Sequence, residues 1–285
     1  MTRTQPPAPA TTVTIALALL VAGLAAPAAA AADRDAKPAM SAVAEAVATA
    51  DRFYAQRDFE GALLTCRAAL ATDSTAYDLW WRLARSLTDR GARATYDGAK
   101  PKAQAAFEDA VAAARRAVGT ATIGAAGAKG DRPEGHLELA VALGRLALFK
   151  GGKDKIRLSK EIKTEADRAL AVDSQQDRAH HVLGRWNRGI AELSFFEKTA
   201  ANTILGGLPK GATYDAAVTH FEQAIAINPG YANHHVELGR TLLKLGLKAK
   251  ARAEFETALA CPVKTPFDAE YKNEARELLV KAKAQ

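Results

Sequence analysis

Cysteine is nearly absent from this 285-residue chain, with only Cys66 and Cys261. Two distant thiols with no Cys-x-x-Cys or His/Cys cluster exclude a structural zinc site and a disulfide scaffold. Aromatics make up 6% of residues, too few for a thick aromatic core, whereas apolar residues reach 48% and are dominated by alanine. That balance favours helices packed closely through small side chains. No nucleophile elbow, phosphate-binding loop, Gly-x-Gly-x-x-Gly or His-Glu-x-x-His helix occurs, so no catalytic residue, metal or cofactor is expected. Gly151-Gly152 and Gly206-Gly207 read as helix-breaking turns. The formal charge is +7, from 39 basic and 32 acidic residues spread along the chain. Stacking aromatics do not alternate with the basic residues, which argues against a nucleic-acid platform.

The N-terminus has a plan of its own. "MTRTQPPAPATTVTIALALLVAGLAAPAAAAADRDAKP" begins with Arg3, continues into an uncharged apolar run over 13–24, and ends in small residues over 25–32. A positive start, a short apolar core and small side chains make a secretory signal over 1–32, cut after Ala30 or Ala32. The apolar core is shorter than the roughly 20 residues a bilayer span needs. The alternative is an uncleaved anchor that reaches through the alanines. Residues 33–39 then form a linker and 40–285 the folded domain. An exported, periplasmic or secreted bacterial protein is expected, with no transmembrane segment after signal cleavage.

What the domain does contain is a period. Ala217, Phe221 and Ala224 return as Ala251, Phe255 and Ala258, each shifted by 34 residues. That period, with A-x3-F-x2-A on one helix and Leu238-Gly239 on the other, is the tetratricopeptide signature. Earlier copies fall at Ala62, Cys66, Ala69, at Ala103, Phe107, Ala110, and at Ile162, Ala166, Ala169. The second of these comes 41 residues after the first, so about seven residues are inserted near "DRGARATYDGAKP". Small residues let the two helices of a hairpin approach, and the large one fills the gap to the next hairpin. The predicted fold is all-α: a tetratricopeptide-like right-handed solenoid of about five helix hairpins, with a C-terminal capping helix over 267–283. Cys66 and Cys261 then lie near opposite ends of an elongated molecule, as reduced packing residues.

The Ile162 and Ala217 copies are 55 residues apart, 21 more than one period. Apolar spacing through Val182, Trp186, Ile190, Leu193 and Ala200 predicts one prolonged helix to about Leu205, ended by Gly206, Gly207 and Pro209. Leu183-Gly184-Arg185-Trp186, Leu193-Ser194 with the aromatic Phe195, Glu197-Lys198, the Gly-Gly-Leu-Pro turn and Ala212-Thr213 resemble the regulator of microtubule dynamics family. "WRLARS" and "KIRLSKEIKTEADRALAVD" upstream are similar to it too, so the likeness covers roughly 40–262. Phe195 departs from a usual tryptophan, and the turn has one proline where two are common. The resemblance implies a helical solenoid without enzymatic activity, with some animal relatives at organelle contacts or handling lipid. A microtubule role does not carry over to an exported bacterial protein.

In tetratricopeptide arrays certain positions of each first helix line the concave face. They hold Arg85, Arg185 and Arg240 in one slot, Arg178 and Arg188 in two others, and Trp81 and His181 in a fourth. His181, Arg185 and Arg188 are spaced i, i+4, i+7 and share a helical face. The expected function is a non-enzymatic interaction module or scaffold whose basic concave groove binds a protein or peptide through its anionic groups. Arginine's planar fork suits carboxylate and phosphate alike. Two other readings stand beside it. The arginines could pair with Glu138, Glu192 or Glu237 and stiffen the stack. Alternatively, the protein binds or transfers phospholipid in an apolar cavity lined by Trp186, Leu193, Phe195 and Phe196. A second basic cluster, Lys150, Lys153, Lys155, Arg157, Lys160 and Lys163, could touch anionic membrane lipid or nucleic acid, or form a solvated loop and helix start, since Asp154 and Glu161 interrupt it. The adjacent pairs His180-His181 and His234-His235 point about 100° apart on a helix and cannot chelate as i, i+4 histidines would. His136, His180 and His235 occupy a packing slot.

Overall fold

The computed structural model describes residues 41–124, 132–204, 207–208 and 210–284. The leader and linker expected over 1–39 lie outside them, as do Leu205, Gly206 and Pro209. Among the described residues there are twelve α-helices and no strand. Helices α1 (Ala42–Ala55) and α2 (Phe59–Thr72) form the first hairpin. The second pairs α3 (Tyr77–Tyr96) with α4 (Lys100–Gly124), and the third pairs α5 (Pro133–Leu146) with α6 (Gly152–Val172). After α7 (Asp177–Ala191) a short helix α8 (Phe195–Ile204) intervenes, and α7 pairs with α9 (Tyr214–Ile227). The fifth hairpin is α10 (Ala232–Lys244) with α11 (Lys248–Ala260), and α12 (Asp268–Ala284) packs on it.

Each hairpin closes where bulk on one helix meets its absence on the other. Phe221 and Phe255 are fully buried. A Cβ built on Gly184 would lie 2.7 Å from the Phe221 ring, and one on Gly239 only 2.4 Å from Phe255. Real Cβ contacts are never that short, so glycine lets the helices approach. In the second hairpin Phe107 meets Gly91 at 2.6 Å instead, one heptad later than the repeat phase predicts. The seven-residue insertion explains this: it adds about two turns to α3, and two turns return the chain to the same face. In the third hairpin Ala166 packs against Ala140 and Leu183, so no glycine is needed there. Between hairpins, Asp73 and Asp173 end the preceding helix. Their side chains accept from the amides of Thr75 and Gln175, both at 2.9 Å, an Asx turn that closes the repeat.

Two expectations are corrected. The prolonged helix after Val182 is broken at residues 192–194, because Ser194 and Glu197 form a capping box that starts α8 afresh. The Ser194 hydroxyl accepts from the Glu197 amide at 3.2 Å, and Glu197 Oε2 accepts from the Ser194 amide at 2.8 Å. The molecule is also not an open rod. The turn before α12 folds back onto the N-terminal hairpins, where Phe267 stacks on Phe59 and Tyr96 at centroid distances of 6.1 and 5.8 Å. Arg93 donates to Glu270 at 2.6 Å and lies 5.1 Å from the Phe267 ring. The end of the superhelix thus touches its first hairpins across the concave face, which becomes a partly enclosed groove. Cys66 and Cys261 are free and buried, in separate clusters of the core.

Candidate functional site

The partly enclosed concave face holds a chamber of about 370 Å³, open to solvent on one side. Its wall comes from α3, α5, α7 and the loop and start of α12, with arginines from three hairpins: Arg85, Arg145, Arg178 and Arg185. Tyr54, Tyr231, Tyr271 and Phe267 supply aromatic surface, and Asp89 and Asp177 the acids.

The arginines differ in what already holds them. Arg178 places a fork on buried Glu138, at 2.6 and 3.2 Å. Arg185 Nε stands 3.6 Å from Glu237. Burial pushes Glu237 up, but Arg185 and Arg188 outweigh it and hold the carboxyl well below the usual range. Arg85 donates to Asp51 at 3.1 Å and lies 3.7 Å above the Tyr54 ring, while its Nε is buried without a partner. The Thr88 hydroxyl beside it is likewise buried and unpaired. The Arg145 side chain has neither hydrogen bond nor ion pair among the described residues. Its guanidinium faces the chamber beside Tyr96, Tyr231, Tyr271 and Asp89.

The acids are tuned in opposite directions. Burial pushes Asp89 above the ordinary carboxylate range, even though Tyr54 donates to it at 2.5 Å. Burial also acts against ionised Asp177, but His234 at 3.0 Å and Asn228 at 2.8 Å donate to it and pull it down to about 2. His181 contacts His234, Nδ1 to Nδ1, at 2.9 Å. Burial drives His181 well below its ordinary value and lowers His234 as well. Both rings are then neutral near pH 7. His234 Nε2–H donates to Asp177, and its Nδ1 accepts from His181 Nδ1–H.

Of the residues predicted for the groove, Arg85, Arg178, His181 and Arg185 line the chamber together. The other three do not. Trp81 stacks under Arg82 at 4.0 Å and donates to Asp78 at 3.3 Å. Arg188 is taken by Glu237, at 2.5 Å to its carboxylate and 3.1 Å to its carbonyl. Arg240 pairs with Glu274 of α12, because the terminal helix sits over that end of the groove. The pairings with Glu138, Glu192 and Glu237 weighed from the sequence are all present. Sequence reasoning missed Arg145. It lies one turn beyond Val141, which holds on α5 the slot that Arg85 and Arg185 hold on their helices, and on the same face, so a reading carried four residues further along that helix would have reached it. Trp186 lines the chamber and donates to Ser159, but Phe195 and Phe196 are exposed at 77% and 82%. The apolar cavity expected from that group of four is therefore not assembled by them.

The histidines of the adjacent pairs diverge as their helical angles require. His180 faces His220 at 3.2 Å, and His235 bonds Glu254 at 2.7 Å and the Pro229 carbonyl at 2.9 Å. Among the described residues no group of three or more His, Cys, Asp or Glu could hold a metal ion. Nor is any helix there long and apolar enough to cross a membrane.

Stacked helix hairpins curved around an arginine-lined concave face define a tetratricopeptide-type solenoid. The chain belongs to the family described as Regulator of microtubule dynamics protein 1-3, whose sequence profile matches residues 46–283. It is 30% identical over 206 residues to mouse Regulator of microtubule dynamics protein 3, covering 71% of this chain and 41% of that protein. With mouse Regulator of microtubule dynamics protein 1 the identity is 26% over 247 residues, covering 85% and 77%. The chain thus spans about two-fifths of the length of the first of these relatives. A crystal structure of a thermophilic tetratricopeptide protein from Thermus thermophilus superposes with a TM-score of 0.53 at 16% identity. It covers 84% of this chain and 99% of that one, and shares the fold.

Proposed function

We propose that the protein is a non-enzymatic interaction module, exported from its cell, that receives an anionic group of a protein or peptide partner inside the chamber. Arg145 carries the reading. A guanidinium left unpaired in a partly enclosed wall keeps only part of its hydration and has no protein partner, and a carboxylate supplies what it lacks. Arg85 Nε and the Thr88 hydroxyl, both buried and unpaired, add two further donors to the same wall. A volume of about 370 Å³ lies at the small end of ligand pockets, roughly 300–1,000 Å³. It suits the terminal carboxylate or acidic side chain of a short segment and is too small for a folded surface. The interior is formed in advance of binding, so little ordering cost falls on the complex.

Titration calorimetry with short acidic peptides, free and amidated at the C-terminus, tests this. Binding is expected, with Arg145→Gln weakening it by tenfold or more, since a hydrogen bond to a charged group contributes about 1.5–3 kcal/mol. Unchanged circular dichroism serves as the folding control. Undiminished binding by Arg145→Gln, or no binding by any peptide, refutes the proposal.

A further inference from the structure

The 21-residue insertion builds a feature that the chamber does not use. Residues 194–197 read Ser-Phe-Phe-Glu, and the reciprocal bonds between Ser194 and Glu197 fix the first turn of α8. Phe195 and Phe196 therefore occupy the first two helical positions, and their rings meet edge to face at 6.0 Å and 75°. They are 77% and 82% exposed. Two ordered phenylalanines held out in water are costly, and nothing in the hairpin needs them there.

The basic cluster lies beside them. α8 packs against α6, whose N-terminal stretch carries six basic side chains over 150–163 against Asp154 and Glu161. Lys153, Lys155 and Arg157 are exposed, and Lys150 donates to Glu108 at 2.8 Å. Glu197, the one acid of the Ser-Phe-Phe-Glu turn, is committed to the Ser194 amide and hydroxyl, and Lys155 stands close enough to add to its stabilisation.

We infer that this face docks the protein onto the surface of an anionic bilayer, with Phe195 and Phe196 inserted shallowly and Lys153, Lys155 and Arg157 against the headgroups. Two rings offer about 150–250 Å² each, well short of the ~800 Å² per partner of a stable protein interface. Shallow insertion reinforced by several basic groups needs no larger apolar area, because the two contributions add. The docking is peripheral.

Co-sedimentation of the full chain with phosphatidylcholine vesicles, with and without phosphatidylglycerol, tests the assignment. Binding is expected only with phosphatidylglycerol, and weaker as salt rises. The pair Phe195→Ser, Phe196→Ser and the pair Lys153→Glu, Lys155→Glu should each lower the vesicle partition about tenfold or more. The N-terminal segment is common to all variants. A polarity-sensitive dye on Phe196→Cys separates its contribution further, since Cys66 and Cys261 are buried. Emission from that dye should shift to the blue on anionic vesicles. An unshifted dye, equal partition of wild type and the phenylalanine pair, or equal binding to neutral vesicles would each overturn the inference.

Discussion

The contact between His181 and His234 works only while His234 Nδ1 is free to accept, since His181 Nδ1 donates. A proton on His234 Nδ1 sets two N–H groups face to face, and one on His181 Nε2 adds a buried charge beside Arg185 and Arg145, both of which already depress His181. His180 and His220 are also lowered by burial, and His180 adds to the effect on His220. Unfolded histidines titrate near 6.5, so below that value the unfolded chain binds more protons than the native one. Stability should therefore fall as pH drops from 7 toward 5. His235 runs the other way: burial lowers it, but Glu254 and the Pro229 carbonyl raise it overall. Its contribution is complete below 6.5 and fades as pH rises through its folded value, so it does not offset the acid-side loss. Urea midpoints measured against pH should show this slope. His181→Gln should flatten it by up to about 1.4 kcal/mol per pH unit below 6.5, one proton's worth, leaving the slope that the other lowered histidines contribute. An unchanged slope would show that His181 is not the residue responsible.

Among elements, α8 shows best what a sequence does and does not display. The five hairpins were legible because the physics repeats: Phe221 and Phe255 each need a hole, and Gly184 and Gly239 leave one, 55 residues apart across the insertion. The break before α8 was hidden because the apolar spacing of Ile190, Leu193 and Ala200 runs through it unbroken. The Ser-x-x-Glu capping signal was present at Ser194 and Glu197 but was outweighed by that spacing. Ser194→Ala should cost about 1 kcal/mol, felt locally. Amide exchange over residues 195–199 should accelerate several-fold while that of α9 and α10 stays as it was. Equal acceleration throughout would mean that α8 is coupled to the core more tightly than its exposed first turn suggests. The chamber was legible in part, by the same logic. Arg85, Arg178, His181 and Arg185 follow the repeat phase, whereas Arg145 sits a turn outside the slots that phase defines.

The closure of the whole molecule had no sequence signature, because no period relates Phe59, Tyr96 and Phe267. Their meeting depends on the accumulated curvature of five hairpins, each contributing a small rotation. Closure changes how the fold should come apart. An open solenoid behaves as a row of neighbours and can fray from one end; here the last element grips the first ones, and fraying must begin by breaking that grip. Urea unfolding followed by tryptophan emission, from Trp80, Trp81 and Trp186, should coincide with the loss of helical circular dichroism. Arg93→Glu with Phe267→Ser should separate the two curves, with α10 to α12 melting at lower urea. Coincident curves in that variant would mean that the grip adds nothing to cooperativity.

The partners Arg93 and Glu270 are 177 residues apart, so the second leaves the ribosome long after the first. In that interval, hairpins already folded expose Phe59, Tyr96 and the charged inner wall to whatever surrounds the nascent chain. That wall stays uncovered until Phe267 and Glu270 arrive, so a molecule without α12 and the turn before it would be born with its inner face open.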